Sequence, residues 1–388
     1  MWKRRFNRFF KPGIVVFATM DALDSMARAS LVTVLPLLAL DVFGDSRDVS
    51  LAYTLGGVAG LLALFTIPWL TRRFRRRFVY TLGVLLVIAG AVAMATASQV
   101  GVTAAIFLRT FAASCVIVMM NLYVMEFIRR RDFVRLEPIR LVAVAVPWTA
   151  GPYLGVWLYQ EVSPFAAYGL SAACATLVLA YFWSLPLRGG AGANRPPQAP
   201  WRHVLRYAAQ PRLRLAWLLA FGRSSWWGMF FIYAPLYMVE SGASQTTGAL
   251  LVSIGNAALL IAPLFGWLAR RYGLRRVVRL AFLVLGVLTV AVGAAPSPLA
   301  GGALLVAGAV GAVCLDGLVI VTFYRAVHAY ERAEMATVYS TWRDISNLAM
   351  PALAAVLLSF GPLSWVFVAM GASMFVYAWS SRYIPRRM

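Results

Sequence analysis

Apolar runs of roughly 20 residues recur along this chain from near its start to its end, and each is long enough to cross a bilayer as a helix. This repetition restricts the fold more than any other feature, because hydrocarbon offers no partner to an unbonded backbone amide. Twelve spans can be placed, near residues 13–40, 49–70, 77–98, 101–128, 137–160, 164–186, 213–239, 246–268, 276–295, 299–325, 335–360 and 362–384. The 388 residues are 61% hydrophobic, well above the apolar half of an ordinary soluble domain. Lys3-Arg4-Arg5 ahead of the first run has the look of a signal peptide. That run is too long, carries charges and lacks a small-residue cleavage pattern, so it reads as a retained span. The expectation is an all-α, multi-pass membrane protein.

The net charge of +22 is placed as topology rather than as a nucleic-acid surface. Basic residues cluster at alternate span ends: Lys3–Lys11, Arg72–Arg77, Arg129–Arg140, Arg188–Arg214, Arg270–Arg279, Arg325–Arg332 and Arg382–Arg387. At the other ends Arg47 stands alone among Asp41, Asp45, Asp48, Glu161 and Glu240. This asymmetry puts both termini in the cytoplasm of a cell membrane and the basic face against anionic lipid. Cys115, Cys174 and Cys314 lie inside apolar spans without disulfide or metal spacing. Lysine occurs only at Lys3 and Lys11, so the chain holds no Walker A site for ATP. H-E-x-x-H and G-x-S-x-G are absent, and no enzyme activity, metal or cofactor is expected.

Residues 188–212 form the one long connection, with Gly189-Gly190-Ala191-Gly192 and Pro196-Pro197 as flexible chemistry. Trp201–Tyr207 then reads as a short amphipathic helix on the membrane surface. The link separates a six-helix bundle, 1–187, from a second, 213–388, and the two repeat. A shift of 199 lays Asp24 on Arg223, Pro36-Leu37 on Pro235-Leu236, Cys115 on Cys314 and Pro152 on Pro351. A shift of 198 lays Trp69-Leu70-Thr71-Arg72-Arg73-Phe74 on Trp267-Leu268-Ala269-Arg270-Arg271-Tyr272. Two parallel six-helix repeats imply halves related by a pseudo-two-fold axis along the membrane normal.

With these residues in view the chain resembles the major facilitator superfamily over essentially its whole length. Gly266–Arg276 is similar to that family's G-x-x-x-D-R-x-G-R-R loop, keeping both glycines with Arg271, Arg275 and Arg276; Pro68–Arg77 keeps the arginines. Arg270 and Arg72 stand where the family has aspartate. The resemblance gives Arg72, Arg73, Arg270, Arg271 and Gly273 gating roles, and Glu126, near Arg129 and Arg130, reads as an interfacial gate or a packing charge. Leu108-Arg109-Thr110 is similar to a fourth-helix arginine motif, and Gly151-Pro152-Tyr153-Leu154-Gly155 to the glycine-proline motif of family antiporters.

Charges inside the spans are costly and call for a partner or a function. Asp21, Asp24 and Arg28 share one helix face at offsets of three, four and seven. Asp24 and Arg28 can pair along their own helix, Arg109 or Arg223 can compete for Asp24, and Asp21 is the spare carboxylate. Asp316 pairs with Arg343 in one arrangement, leaving Asp344 facing elsewhere. His203 and His328 lie at span edges, so a coupling proton would ride on Asp21, Asp24, Asp316 or Asp344. Arg28, Arg109, Arg223 and Arg343 are candidate substrate ligands, with Trp226, Phe230, Trp148 and Tyr153 as an aromatic wall. The expected activity is proton-coupled secondary transport of a small molecule by a monomer, leaning to export of an amphipathic compound by antiport. Uptake of an organic anion by symport is the first alternative, and a non-transporting assembly or signalling factor the second.

Overall fold

The computed structural model describes residues 13–128, 133–185, 200–328 and 331–385. The basic stretch Lys3–Lys11, Arg129 with Arg130, and the glycine and proline residues of the link lie outside them. The described residues are helical with short turns: α1 Ile14–Ala29, α2 Val34–Phe43, α3 Ser46–Arg73, α4 Arg76–Met94, α5 Gln99–Phe127, α6 Phe133–Trp157, α7 Pro164–Ser184, α8 Pro200–Ala208, α9 Pro211–Glu240, α10 Gln245–Ala257, α11 Ala262–Tyr272, α12 Leu274–Val292, α13 Pro298–Ala326, α14 Arg332–Leu358 and α15 Ser364–Ser380. Eight helical stretches are long and apolar enough to cross a membrane: Ile14–Phe43, Ser46–Arg73, Arg76–Met94, Gln99–Phe127, Ile139–Val162, Pro164–Ser184, Gln245–Tyr272 and Pro298–Ala326. The other long helices are less apolar or shorter. Arg275, Arg276 and Arg279 crowd the start of α12, α14 carries Arg343 and Asp344, and α15 has 17 residues.

The chain divides into two compact units, Met1–Val42 with Val58–Asn194, and Phe43–Gly57 with Arg195–Met388. In the first, α4 packs along α5, and α1 lies against α6 and α7. Its core gathers Phe17, Met20, Tyr80, Cys115, Met119, Tyr123 and Phe182. Tyr80 and Phe182 rings meet at 4.3 Å. The first span is broken at Ser30–Thr33. Pro36 accounts for the break, since it lacks the N–H that would bond the Val32 carbonyl and its ring crowds that oxygen. α6 exploits the same place. A Cβ on Gly151 would fall 2.7 Å from the Ala29 Cβ, and one on Gly155 would overlap the Ser30 carbonyl oxygen.

In the second unit α9 packs between α13 and α14, and α12 between α13 and α15. Gly286 and Gly371 let α12 and α15 approach closely, in the manner of small-residue crossings between membrane helices: a Cβ on Gly371 would lie 2.6 Å from the Val290 nitrogen. Residues 43–57 complete this unit: Tyr233 donates to Ser50 at 2.7 Å, Ser46 bonds Glu240, and Gly57 abuts the Leu348 backbone. The amphipathic segment forms α8 with protein partners for its polar side. Arg206 reaches Glu334 at 3.3 Å and Glu331 at 3.6 Å, and His203 Nδ1 lies 3.2 Å from Glu334. Cys115, Cys174 and Cys314 are free and buried.

Candidate functional site

Each unit holds its own group of intramembrane charges. In the first, α1 carries Asp21, Asp24 and Arg28 in its second to fourth turns. Arg28 donates to Asp24 at 2.6 Å, an i,i+4 pair in which each side chain is less than a quarter exposed. Asp21 is not spare. Both Nε and an Nη of Arg140, from α6, bond its carboxylate, a fork that matches the two oxygens. Arg140 was legible only as the last member of a basic cluster, and its helical position, about two turns inside α6, is what brings it to α1. The pair is largely buried, at 18% and 11% side-chain exposure.

In this conformation Arg109 bonds elsewhere than Asp24. Its guanidinium donates to the carbonyls of Ala27 and Arg28 at 3.2 and 3.3 Å and to Ser171 Oγ at 3.3 Å. Ser171 itself donates to the Ala27 carbonyl. These oxygens belong to the last turn of α1, where carbonyls lose their helical partners and the helix dipole is negative, so a cation is favoured there. Gly90 makes room: a Cβ there would sit 2.6 Å from Arg109 Cγ. Buried donors nearby have no partner among the described residues: Arg28 Nε, Ser25 Oγ and the Tyr80 hydroxyl.

In the second unit Asp316 of α13 pairs with Arg223 of α9, correcting the expected partner Arg343. Trp227 Nε1 donates to the other Asp316 oxygen at 3.1 Å. Arg223 also lies over the Trp342 ring, 4.7 Å from its centroid, and Arg343 flanks the same ring at 5.2 Å. The wall beside Arg223 is therefore Trp227 and Trp342. Trp226 and Phe230 are fully buried and stacked at 5.2 Å, with Trp226 Nε1 bonded to Thr289 at 2.9 Å. Offsets of three and four from Arg223 both fall near its face, and only packing against α12 decides that Trp226 turns into the core. Asp344 is buried, while its neighbour Arg343 is exposed, as their 100° separation on α14 requires.

The remaining candidates stand apart from these groups. Trp148 is half-buried and Tyr153 is 38% exposed. Glu126 pairs with Arg76 at 3.0 Å. Arg72 and Arg73 are exposed at the end of α3, and Arg271 lies beside Trp267 and Tyr272. Gly273 turns the chain from α11 into α12 at φ 89°, a conformation glycine takes without steric cost.

Long apolar helices with paired charges inside them define a multi-pass α-helical membrane protein. The sequence profile of the Major Facilitator Superfamily matches residues 17–351, and the chain belongs to that superfamily. Solved structures with the same fold include the nucleoside transporter NupG, at 13% identity over 96% of this chain and 99% of that one, TM-score 0.77. A POT family transporter in complex with 5-aminolevulinic acid matches at 13% over 96% of each chain, TM-score 0.79. A peptide transporter POT in complex with sulfate matches at 13% over 97% and 95%, TM-score 0.75. No curated protein sequence matches. The expectation of export by antiport is corrected by these neighbours, which are nucleoside and peptide transporters and favour uptake. The stretch Gly151–Gly155, on which the export reading leaned, serves helix packing at the break in the first span.

Proposed function

We propose that the chain is a proton-coupled uptake transporter, a symporter for a small organic anion or zwitterion, working by alternating access. The observation that carries this reading is the Arg223–Asp316 pair with Trp227 and Trp342 against it. An arginine whose counter-ion can be protonated is a coupling device. Proton uptake by Asp316 removes its negative charge and frees Arg223 for a solute carboxylate, so anion and proton travel together. Aromatic faces beside the guanidinium suit the alkyl or ring body of such a solute. The solutes named for the fold's neighbours, nucleosides, peptides and 5-aminolevulinic acid, supply the first compounds to try. In the first unit, Arg28 Nε, Ser25 and Tyr80 offer further donors beside Asp24.

The reading includes twelve spans in two six-helix halves, 1–187 and 213–388, joined by 188–212. Both termini are cytoplasmic, because the arginine-rich span ends lie on one side. Proteoliposomes of the full chain test the function. An imposed inward proton gradient is expected to drive accumulation of labelled 5-aminolevulinic acid or a dipeptide, with uridine, which has no carboxylate, as the neutral comparison. Asp316→Asn is expected to abolish accumulation while leaving exchange of internal for external solute. Gradient-driven uptake by Asp316→Asn equal to the unaltered chain would remove Asp316 from coupling. Absence of gradient-driven flux for both carboxylate solutes would sink the uptake proposal.

A further inference from the structure

The turn between α11 and α12 opens onto a pocket of about 830 Å3 lined by Arg270, Arg275, Arg276, Arg279 and Arg325. No carboxylate among the described residues lines it. Among the described residues these five guanidinium groups have no acidic partner, although arginines elsewhere in the chain pair with Asp21, Asp24, Glu126, Asp316, Glu331 and Glu334. Like charges gathered in one concavity repel one another unless an anion joins them. The pocket's other lining is largely apolar, with Leu274, Leu318 and Val321, and exposed Trp267 and Tyr272 stand at the same helix end. Exposed aromatics of this kind mark the membrane–water boundary.

The ligand chemistry follows from the donors. A single carboxylate accepts one guanidinium fork, whereas a phosphate presents three or four oxygens to several at once. We propose that this pocket binds a phosphate-bearing anion, either the headgroup of an anionic phospholipid or a free polyphosphate. Arg270 is decisive here. It adds a cation at the loop position where the resembling family pattern carries aspartate, so the pocket has no internal counter-ion. The inference rests on the pocket and its charges, not on the transport reading.

The test uses the full chain in a neutral detergent, with native mass spectrometry and titration reading bound ligand. The probes are tetraoleoyl cardiolipin, dioleoyl phosphatidylcholine and inorganic pyrophosphate. Cardiolipin binding that pyrophosphate does not displace identifies a lipid source; binding of pyrophosphate alone, or displacement by it, identifies a free one, and either supports the site. The triple substitution Arg275→Gln, Arg276→Gln and Arg279→Gln is expected to weaken binding at least tenfold. The triple Arg72→Gln, Arg73→Gln and Arg75→Gln removes the same charge from the other unit and is expected to leave affinity within twofold. A charge-neutral block guards against a folding failure. A Cβ at Gly317 meets nothing within 4 Å, so Gly317→Phe puts a ring into the pocket wall with every arginine kept, and binding is expected to fall at least threefold. Equal loss in both triple variants, undiminished binding by Gly317→Phe, or no binding of cardiolipin or pyrophosphate by the unaltered chain each overturns the proposal.

Discussion

Arg140→Gln strands the Asp21 carboxylate in a largely buried position, and removing one partner of such a pair typically costs about 3–5 kcal/mol. The expected result is a clear fall in melting temperature of the purified protein. Removing both charges with Asp21→Asn and Arg140→Gln together is expected to recover more than half of that loss, because no charge is left uncompensated. A double variant as unstable as the single would show that Arg140 matters through packing instead. The existence of these charges was plain in the sequence, since polar residues stand out in apolar runs. Their pairing was not. Helix periodicity says which residues share a face of one helix, as with Asp24 and Arg28. It says nothing of Arg140, 119 residues from Asp21, or of Asp316, 93 residues from Arg223.

Among elements, the contact of α6 with the broken first span depends on two missing side chains. Gly155→Ala places a methyl group on the Ser30 carbonyl, and overpacking of this kind costs about 1–3 kcal/mol. A lower melting temperature is expected, whereas Gly169→Ala on α7, where a Cβ meets nothing within 4 Å, is expected to match the unaltered protein. Equal melting temperatures for both would mean that α6 does not seat on Ser30. α8 offers a milder case. Arg206 is about half exposed, so Arg206→Ala is expected to change global stability by less than about 1 kcal/mol. Hydrogen exchange across residues 200–208 should nevertheless speed up, and unchanged exchange would show that the ion pairs to Glu331 and Glu334 do not hold the helix. Span positions were readable because bilayer thickness fixes their length. The break at Ser30–Thr33 is signalled by Pro36 but hidden in the apolar run around it, because hydropathy has no term for a missing amide hydrogen.

At the scale of the whole molecule, the arginine asymmetry makes a prediction about sidedness. The native cysteines are buried, so an introduced thiol is the one expected to meet a membrane-impermeant maleimide. In intact cells Arg47→Cys is expected to react from outside, and Ala209→Cys only after the cells are opened. The reverse pattern would invert the topology. The near-constant offset of about 199 residues points to a repeat, but an offset cannot show that residues 43–57 belong with the second unit. That segment has a consequence for synthesis. Ser50 and Ser46 leave the ribosome long before Tyr233, 183 residues later, and Glu240, 194 residues later. The start of α3 must therefore wait without its α9 partners, Ser50 held only by its bond to the Ser46 carbonyl of its own helix. A translational pause or truncation anywhere before Glu240 leaves a nascent product in which the start of α3 lacks its partners, and membrane quality control would meet the chain in that condition.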